Sequence, residues 1–151
     1  MQTVIRRAPC GDRDREALPV LILDAEARER ARQVVPLPDG QSLVLQLPRG
    51  TVLAPDDVLL NAAGTALALV EAKIESVYTL RAEDILHLLR AAYHLGNRHI
   101  AMEVQPDYLR IKPDPVLAHL VAHLGGVHLI EEMAPFVPEG GAYSGHGHTH
   151  G

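Results

Sequence analysis

Residues 82–104, AEDILHLLRAAYHLGNRHIAMEV, change their hydrophobic period partway along and so indicate a helix followed by a strand. The helical half repeats apolar residues every three or four positions, at Ile85, Leu88, Leu89, Ala92 and Leu95. Gly96 stands where a helix C-terminus takes a residue with positive φ. Beyond it, Ile100, Met102 and Val104 alternate with His99, Ala101 and Glu103, which predicts a strand that buries the first set and turns His99 outwards.

The sequence on both sides of this stretch completes a six-element pattern. Asp114 is a good helix N-cap, Pro115 suits the first helical position, and Gly125-Gly126 ends that second helix. Its apolar face would hold Val116, Leu117, Leu120, Val121 and Leu124. Strands are predicted over residues 72–80, 108–111 and 127–131. The order strand, helix, strand, strand, helix, strand is the ferredoxin-like pattern, which does not by itself fix a function.

The first half of the chain is predicted to form short strands joined by turns. Pro38-Asp39-Gly40 tolerates positive φ and predicts a hairpin between residues 34–37 and 43–47. Residues 25–33 have a composition that suits a helix, but they lead into the hairpin, so we favour a strand there. We therefore expect an α+β chain with three parts: a small all-β domain over 1–73, a ferredoxin-like domain over 74–143 and a disordered histidine-rich tail over 144–151.

Composition excludes several classes of protein. A net charge of −5 without a dense basic run gives no support to nucleic-acid or anionic-membrane binding, and 3% aromatic residues argues against an RNA-binding sheet. No apolar run approaches the ~20 residues that span a bilayer. The N-terminus does not have the pattern of a secretory signal, and Cys10 is the only cysteine, so no intrachain disulfide can form. We expect a cytoplasmic protein.

The strongest chemical signal is the tail, where His146, His148 and His150 alternate with glycine and threonine. Short histidine-rich tracts bind metals, because neutral imidazoles donate lone pairs and flexible neighbours let them surround one ion. Imidazole suits nickel, zinc and copper, and intrinsic affinity alone would favour copper over nickel. The tail therefore predicts a divalent metal without naming it.

The other histidines give weaker signals. A lone histidine on a strand, such as His99, is usually a surface residue, unless a two-fold axis beside it supplies a second imidazole. His119 and His123 stand four apart on the second helix, as in helical zinc sites, but a solvated face is the simpler interpretation. We expect His87 and His94 to be solvated. The environment of His128 is left undecided.

Catalytic constellations are missing from the sequence. It has no glycine-rich phosphate loop, nucleophile elbow or paired-cysteine metal site. A histidine-dependent metallohydrolase would need three fixed ligands and an open position, and a mobile tail is a poor place for fixed ligands. A non-enzymatic metal carrier fits better than a metallohydrolase or an RNA-binding module.

Three ordered motifs resemble the UreE family of urease accessory proteins. Residues 91–99, Ala-Ala-Tyr-His-Leu-Gly-Asn-Arg-His, are similar to that family's signature stretch. Residues 47–51, Leu-Pro-Arg-Gly-Thr, resemble a turn of its first domain, and residues 135–143, Pro-Phe-Val-Pro-Glu-Gly-Gly-Ala-Tyr, resemble its closing motif. The resemblance extends from about residue 21 to the tail.

The resemblance implies a nickel metallochaperone that delivers Ni(II) to apo-urease together with a maturation GTPase. It implies a peptide-binding-like N-terminal domain and a C-terminal domain that forms a homodimer. Nickel would be held by paired copies of His99, assisted by His146, His148 and His150. Residues 110–115 hold no histidine, although some family members have histidines there, so those auxiliary sites should be absent. Zinc or copper carriage or storage is the alternative.

Overall fold

The computed structural model describes residues 1–11 and 17–140. The described chain divides into two compact units, Met1–Lys73 together with Gly140, and Ile74–Glu139. Within the described ranges, no helix is long and apolar enough to cross a membrane.

The described residues of the first unit form two sheets and one short helix. Its strands are β1 (Gln2–Val4), β2 (Arg6–Pro9), β3 (Val20–Leu23), β4 (Arg32–Pro36), β5 (Ser42–Gln46), β6 (Asp57–Leu60) and β7 (Ala66–Ala72). One sheet has the order β1-β5-β4 and the other the order β2-β6-β7-β3. Both sheets are mixed, since β1 pairs with β5 and β3 pairs with β7 in parallel.

The predicted hairpin is confirmed and supplies much of this unit's core. Strands β4 and β5 pair antiparallel, and Gly40 in the turn has φ +88, which a glycine adopts without a Cβ clash. Leu43, Leu45 and Leu47 are all buried, as their alternation predicts. They join an aliphatic cluster that needs no aromatic residue.

The strand predicted over residues 25–33 is wrong in its first half. Helix α1 (Ala25–Arg28) begins there instead, because the Asp24 carboxylate accepts the Ala27 N–H at 2.7 Å and caps its first turn. Arg28 is buried and donates from Nη1 to the Leu23 carbonyl at 2.9 Å. The strand begins only at Arg32.

The second unit has the predicted ferredoxin-like order. Its elements are β8 (Ile74–Arg81), α2 (Ile85–Gly96), β9 (Met102–Val104), β10 (Leu109–Ile111), α3 (Pro115–Leu124) and β11 (His128–Pro135). The sheet has the order β11-β8-β10-β9, and every pair in it is antiparallel. Both helices pack against the face that carries Tyr78, Leu80, Leu109 and Ile111. The α+β fold class is therefore confirmed.

Aspartates begin both helices of this unit. The side chain of Asp84 accepts the Leu86 N–H, and that of Asp114 accepts the Val116 N–H, each at 2.9 Å. Pro115 occupies the start of α3 and Gly125 follows its end, as predicted, and Gly125 has φ +76. Leu117 and Val121 are buried, but Val116, which was predicted on the apolar face, is exposed.

Candidate metal-binding site

His99 lies in a tight turn that continues directly from the end of α2. Arg98 and His99 donate their backbone N–H groups to the Leu95 and Gly96 carbonyls, each at 3.1 Å. His99 has φ +55, a left-handed conformation that few residues other than glycine adopt, although histidine is among those enriched there. Its side chain is exposed. The fold thus presents this imidazole to solvent from a constrained backbone.

Two predictions about this junction are wrong, although the exposure of His99 is confirmed. Gly96 is the last helical residue and is not among the glycines with positive φ in the described chain; His99 carries the positive φ instead. The strand begins at Met102 rather than before Ile100, because the turn after α2 uses residues 97–99. His99 therefore points outwards because of a turn and not because of strand alternation.

The tail histidines His146, His148 and His150 lie outside the described residues, so their predicted role stays a prediction. Within residues 1–11 and 17–140, no three histidine, cysteine, aspartate or glutamate side chains are grouped so that they could hold a metal ion. Among the described residues, His99 is therefore not part of a complete metal-ligand set.

His87 differs from its prediction as a solvated residue. It is half-buried, and its imidazole ring packs on Gly126, which follows α3. The ring borders a cleft of about 370 Å³ whose other lining residues are Glu83, Asp84, Gly126 and His128. This cleft gathers two imidazoles and two carboxylates without meeting the three-ligand condition above.

His94, His119 and His123 are exposed, as predicted, and His128, which was left undecided, is exposed as well. His94 makes an edge-to-face contact with Tyr93, with ring centroids 5.2 Å apart. His119 and His123 both lie on the exposed side of α3. In the described chain, neither is part of a group that could hold a metal ion.

An exposed apolar stripe runs along α2. Ile85, Leu89 and Tyr93, spaced four residues apart, are 54%, 59% and 67% exposed, and Leu86 beside them is also exposed. The stripe lies roughly 140° around the helix from the buried residues Leu88, Ala91 and Leu95. The prediction that Ile85 and Leu89 belong to the buried face is therefore wrong.

The sheet face away from the helices carries a polar cluster that periodicity alone did not indicate. Glu103 is 4% exposed and was predicted on the outward face of its strand; its carboxylate accepts the Val137 N–H and a Gln105 side-chain N–H, each at 2.9 Å. The Arg110 guanidinium lies 3.9 Å from the same carboxylate and 4.5 Å from the centre of the Tyr108 ring. Glu103 is buried because the chain after β11 covers it.

The first unit contains a cleft that involves one of the sequence motifs. The cleft has a volume of about 300 Å³ and is lined by Arg6, Arg7, Leu47, Pro48 and Thr51. Three of these residues belong to the 47–51 motif. Gly50 in that motif has φ +87, and the Thr51 hydroxyl donates to the Pro48 carbonyl at 2.6 Å.

Fold and site together define a two-unit α+β protein that carries His99 at the surface of a ferredoxin-like unit. Family models for the N-terminal and the C-terminal domain of UreE urease accessory protein match residues 4–72 and 75–151. The chain belongs to the UreE urease accessory protein family.

Individual relatives agree with the family models. The urease accessory protein UreE of Nostoc sp. is 47% identical over 130 residues, which cover 86% of this chain and 87% of the relative. The Nostoc punctiforme protein of that name is 48% identical over the same shares. The Burkholderia lata protein is 47% identical over 133 residues, which cover 88% of this chain and 63% of the longer relative.

Proposed function

We propose that this protein is a nickel metallochaperone that delivers Ni(II) to apo-urease while the urease active site is assembled. The observation that carries the proposal is the position of His99, an exposed imidazole on a constrained turn in a chain of the UreE family. An exposed ligand exchanges its ion readily, which a carrier requires. An enzyme's resident metal is instead held by about three fixed protein ligands around an open position.

The apolar stripe on α2 supports a homodimer. Ile85, Leu86, Leu89 and Tyr93 form an apolar surface on the helix that ends at the His99 turn. Burying such a surface against a second copy would remove it from water. A symmetric contact would also bring the partner's copy of this turn into the same assembly, so two imidazoles could share one ion.

The histidines of the tail are proposed as further ligands. Residues 144–151 would act as a separate binding segment, in which His146, His148 and His150 capture ions and pass them to the His99 pair. Metal binding would fix the rotamers of these ligands, and fixing side chains costs free energy. The tail should therefore add binding capacity at lower affinity than a preorganised interfacial site.

We propose nickel rather than zinc or copper because the chain belongs to the UreE family. The imidazole ligands themselves do not select nickel. Imidazoles accept all three ions, so zinc or copper binding in vitro and metal storage remain the alternative. A metallohydrolase is disfavoured, because the described residues offer no set of three fixed ligands. We infer that the protein carries metal without catalysing a reaction.

The proposed partners are the urease apoprotein and the other urease accessory proteins, including the maturation GTPase. The Arg6/Arg7 cleft beside the 47–51 motif supports a peptide-binding role for the first unit. A cytoplasmic location suits the proposal, because the single cysteine leaves no internal disulfide that would need an oxidising compartment.

Nickel titration calorimetry on the parent, on His99→Ala and on a chain that ends at residue 143 tests the proposal. Symmetry doubles each substitution, so His99→Ala should abolish one interfacial site per dimer. The truncation should lower the number of bound ions but leave that site in place. His119→Ala, which changes another exposed histidine of the same unit, is the matched control and should bind like the parent.

Activation of apo-urease by each variant supplies the functional measurement. His99→Ala should activate less than the parent and than His119→Ala. If His99→Ala binds nickel and activates urease like the parent while the truncated chain loses both, His99 is an ordinary surface residue and the tail alone carries nickel. If the parent neither binds nickel nor activates urease, the proposed function is wrong.

A further inference from the structure

The chain crosses the sheet of the second unit immediately after its last strand. Pro135 ends β11 at one edge of the sheet and pairs with Ile74. Glu139, four residues later, donates its backbone N–H to the Met102 carbonyl at 2.8 Å, and Met102 belongs to β9 at the opposite edge. The strand register places Pro135 and Met102 three strand spacings apart across the sheet and four residues apart along the strands. That separation corresponds to roughly 15–20 Å.

Glu103 holds this crossing segment, residues 136–139, in the middle of its path. Its Oε1 accepts the Val137 N–H at 2.9 Å, while Phe136 is 1% exposed. Its Oε2 accepts a Gln105 Nε2–H at 2.9 Å and lies 3.9 Å from Arg110 Nη1. A buried carboxylate with donors on both oxygens forms a strong, directional attachment for a backbone N–H.

We propose that Glu103 is a positioning residue for metal binding: it fixes the point at which the histidine-rich tail leaves the domain. That point lies at Met102, three residues after His99, although the preceding strand ends on the far edge of the sheet. The inference rests on the proposed function, in which the tail passes ions to the His99 pair, and adds that tail imidazoles then help to hold the ion at His99. Glu103 itself touches no metal.

The distances make the effect measurable. Three residues separate His99 from Met102, so the two lie within about 10 Å, and the seven residues from Glu139 to His146 extend to at most about 24 Å. A tether rooted at Met102 can therefore bring His146 to His99 of its own protomer. If the tether were instead rooted at Pro135, it would be four residues longer but would start roughly 15–20 Å from Met102. The effective concentration of the tail at His99 would then be about fivefold lower.

Nickel titration of four chains separates positioning from general damage: the parent, Glu103→Ala, a truncation after Gly140 and the two changes combined. Glu103→Ala should weaken nickel affinity about fivefold in the full-length chain. In the truncated chain the same substitution should leave affinity unchanged, because no tail remains to be positioned. A merely structural role would weaken both chains alike.

Three further variants sharpen this test. Glu132→Ala is the control, because Glu132 also faces Arg110, at 3.7 Å, from a more exposed position, and it should bind nickel like the parent. Glu103→Gln keeps an acceptor for Val137 and should recover most of the affinity. Val137→Pro removes the donor while leaving Glu103 in place, so it should reproduce the effect of Glu103→Ala even if that variant folds poorly.

Equal losses in full-length and truncated chains would overturn the positioning role, as would unchanged affinity in full-length Glu103→Ala and Val137→Pro. Truncation without any effect on the parent's affinity would also overturn it, while leaving nickel carriage by His99 standing. A parent that binds no nickel would overturn both this inference and the proposed function.

Discussion

Gly126 lies directly against the imidazole ring of His87, so closely that a methyl group on Gly126 would overlap the ring. The glycine follows the end of α3 and has φ +75, while His87 belongs to the first turns of α2. This contact therefore links the beginning of one helix to the end of the other. It also explains why His87 is half-buried although it was predicted to be solvated.

Gly126→Ala should destabilise the protein by about 2–4 kcal/mol, because it adds left-handed strain of about 1–2 kcal/mol to the steric overlap. In a His87→Ala background the overlap disappears and only the strain remains, so the same change should cost about 1–2 kcal/mol. Urea unfolding of the four proteins measures this coupling. Equal costs in both backgrounds would show that the ring moves aside freely.

Leu89→Glu should dissociate the proposed homodimer, because it places a carboxylate in the middle of the apolar stripe on α2. Leu89 is 59% exposed, so the monomer should still fold. Val34→Glu, at a 61% exposed residue of the first unit, is the control and should leave the dimer intact. Light scattering at micromolar concentration measures the outcome; a parent that is monomeric both with and without nickel would refute the dimer.

The sequence predicted the fold well where local signals agreed with the packing. The hairpin around Gly40 and the capped start of α3 at Asp114 combine turn or cap chemistry with periodicity, and both are confirmed. The prediction of the buried helix face failed for Ile85 and Leu89. A helix with apolar residues on two faces does not reveal which face the sheet covers. Only the packing of Leu88, Ala91 and Leu95 decides that.

The site was predictable only in part. Alternation predicted the exposure of His99 correctly but for the wrong reason, because the turn that exposes it and its left-handed φ depend on hydrogen bonds that no residue pattern announces. The buried position of Glu103 depends on Val137, which is 34 residues away in the chain. A contact between such distant residues leaves no periodic signal in a single sequence.

Nickel affinity should fall steeply with pH, because protons compete for imidazole lone pairs. Imidazoles ordinarily titrate near ~6.5, so lowering the pH from 8 to 5.5 should cost a two-imidazole site roughly 100-fold in affinity. Titrations in buffers of different ionisation enthalpy should also show release of protons on binding. Unchanged affinity over this range would exclude histidine ligation.

Asp57 should lower the stability of the protein as the pH rises. A carboxylate in a simple ion pair would do the opposite. Burial raises the pKa of its carboxyl above the ordinary 3.8, although the Ala54 N–H and the Arg7 guanidinium oppose the shift. The folded state then binds the proton more tightly than the unfolded state. Stability that is present below pH 3.8 is therefore lost as the pH rises through the raised pKa.

Comparison with Asp57→Asn isolates this contribution. The free energy of unfolding of the parent minus that of Asp57→Asn should decrease as the pH rises from about 3, and then level off above the raised pKa. Asp39→Asn, at an exposed aspartate of the same unit, is the control variant measured under the same conditions. A difference that grows with pH would mean that the pairing with Arg7 outweighs burial.

His99 combines a proposed ligand with a backbone conformation that suits few residues, and substitutions can separate the two properties. The parent's histidine already carries a Cβ at φ +55, so alanine adds only the difference between their left-handed preferences, about 0.5–1 kcal/mol, while asparagine is favoured there like histidine and glycine has no Cβ to clash. We therefore expect His99→Gly and His99→Asn to unfold close to the parent's midpoint and His99→Ala to unfold slightly earlier. All three lack the imidazole, so all three should lose the interfacial nickel site.

Thermal unfolding and nickel stoichiometry, measured on the same three variants, show whether nickel binding requires the imidazole ring or the turn conformation. Loss of nickel in His99→Gly, with stability preserved, assigns the loss to the imidazole alone, because neither the fold nor the turn has been weakened. Nickel binding that persists in His99→Gly and fails only in His99→Ala would instead make the turn conformation the requirement. The ligand would then have to be sought elsewhere in the chain.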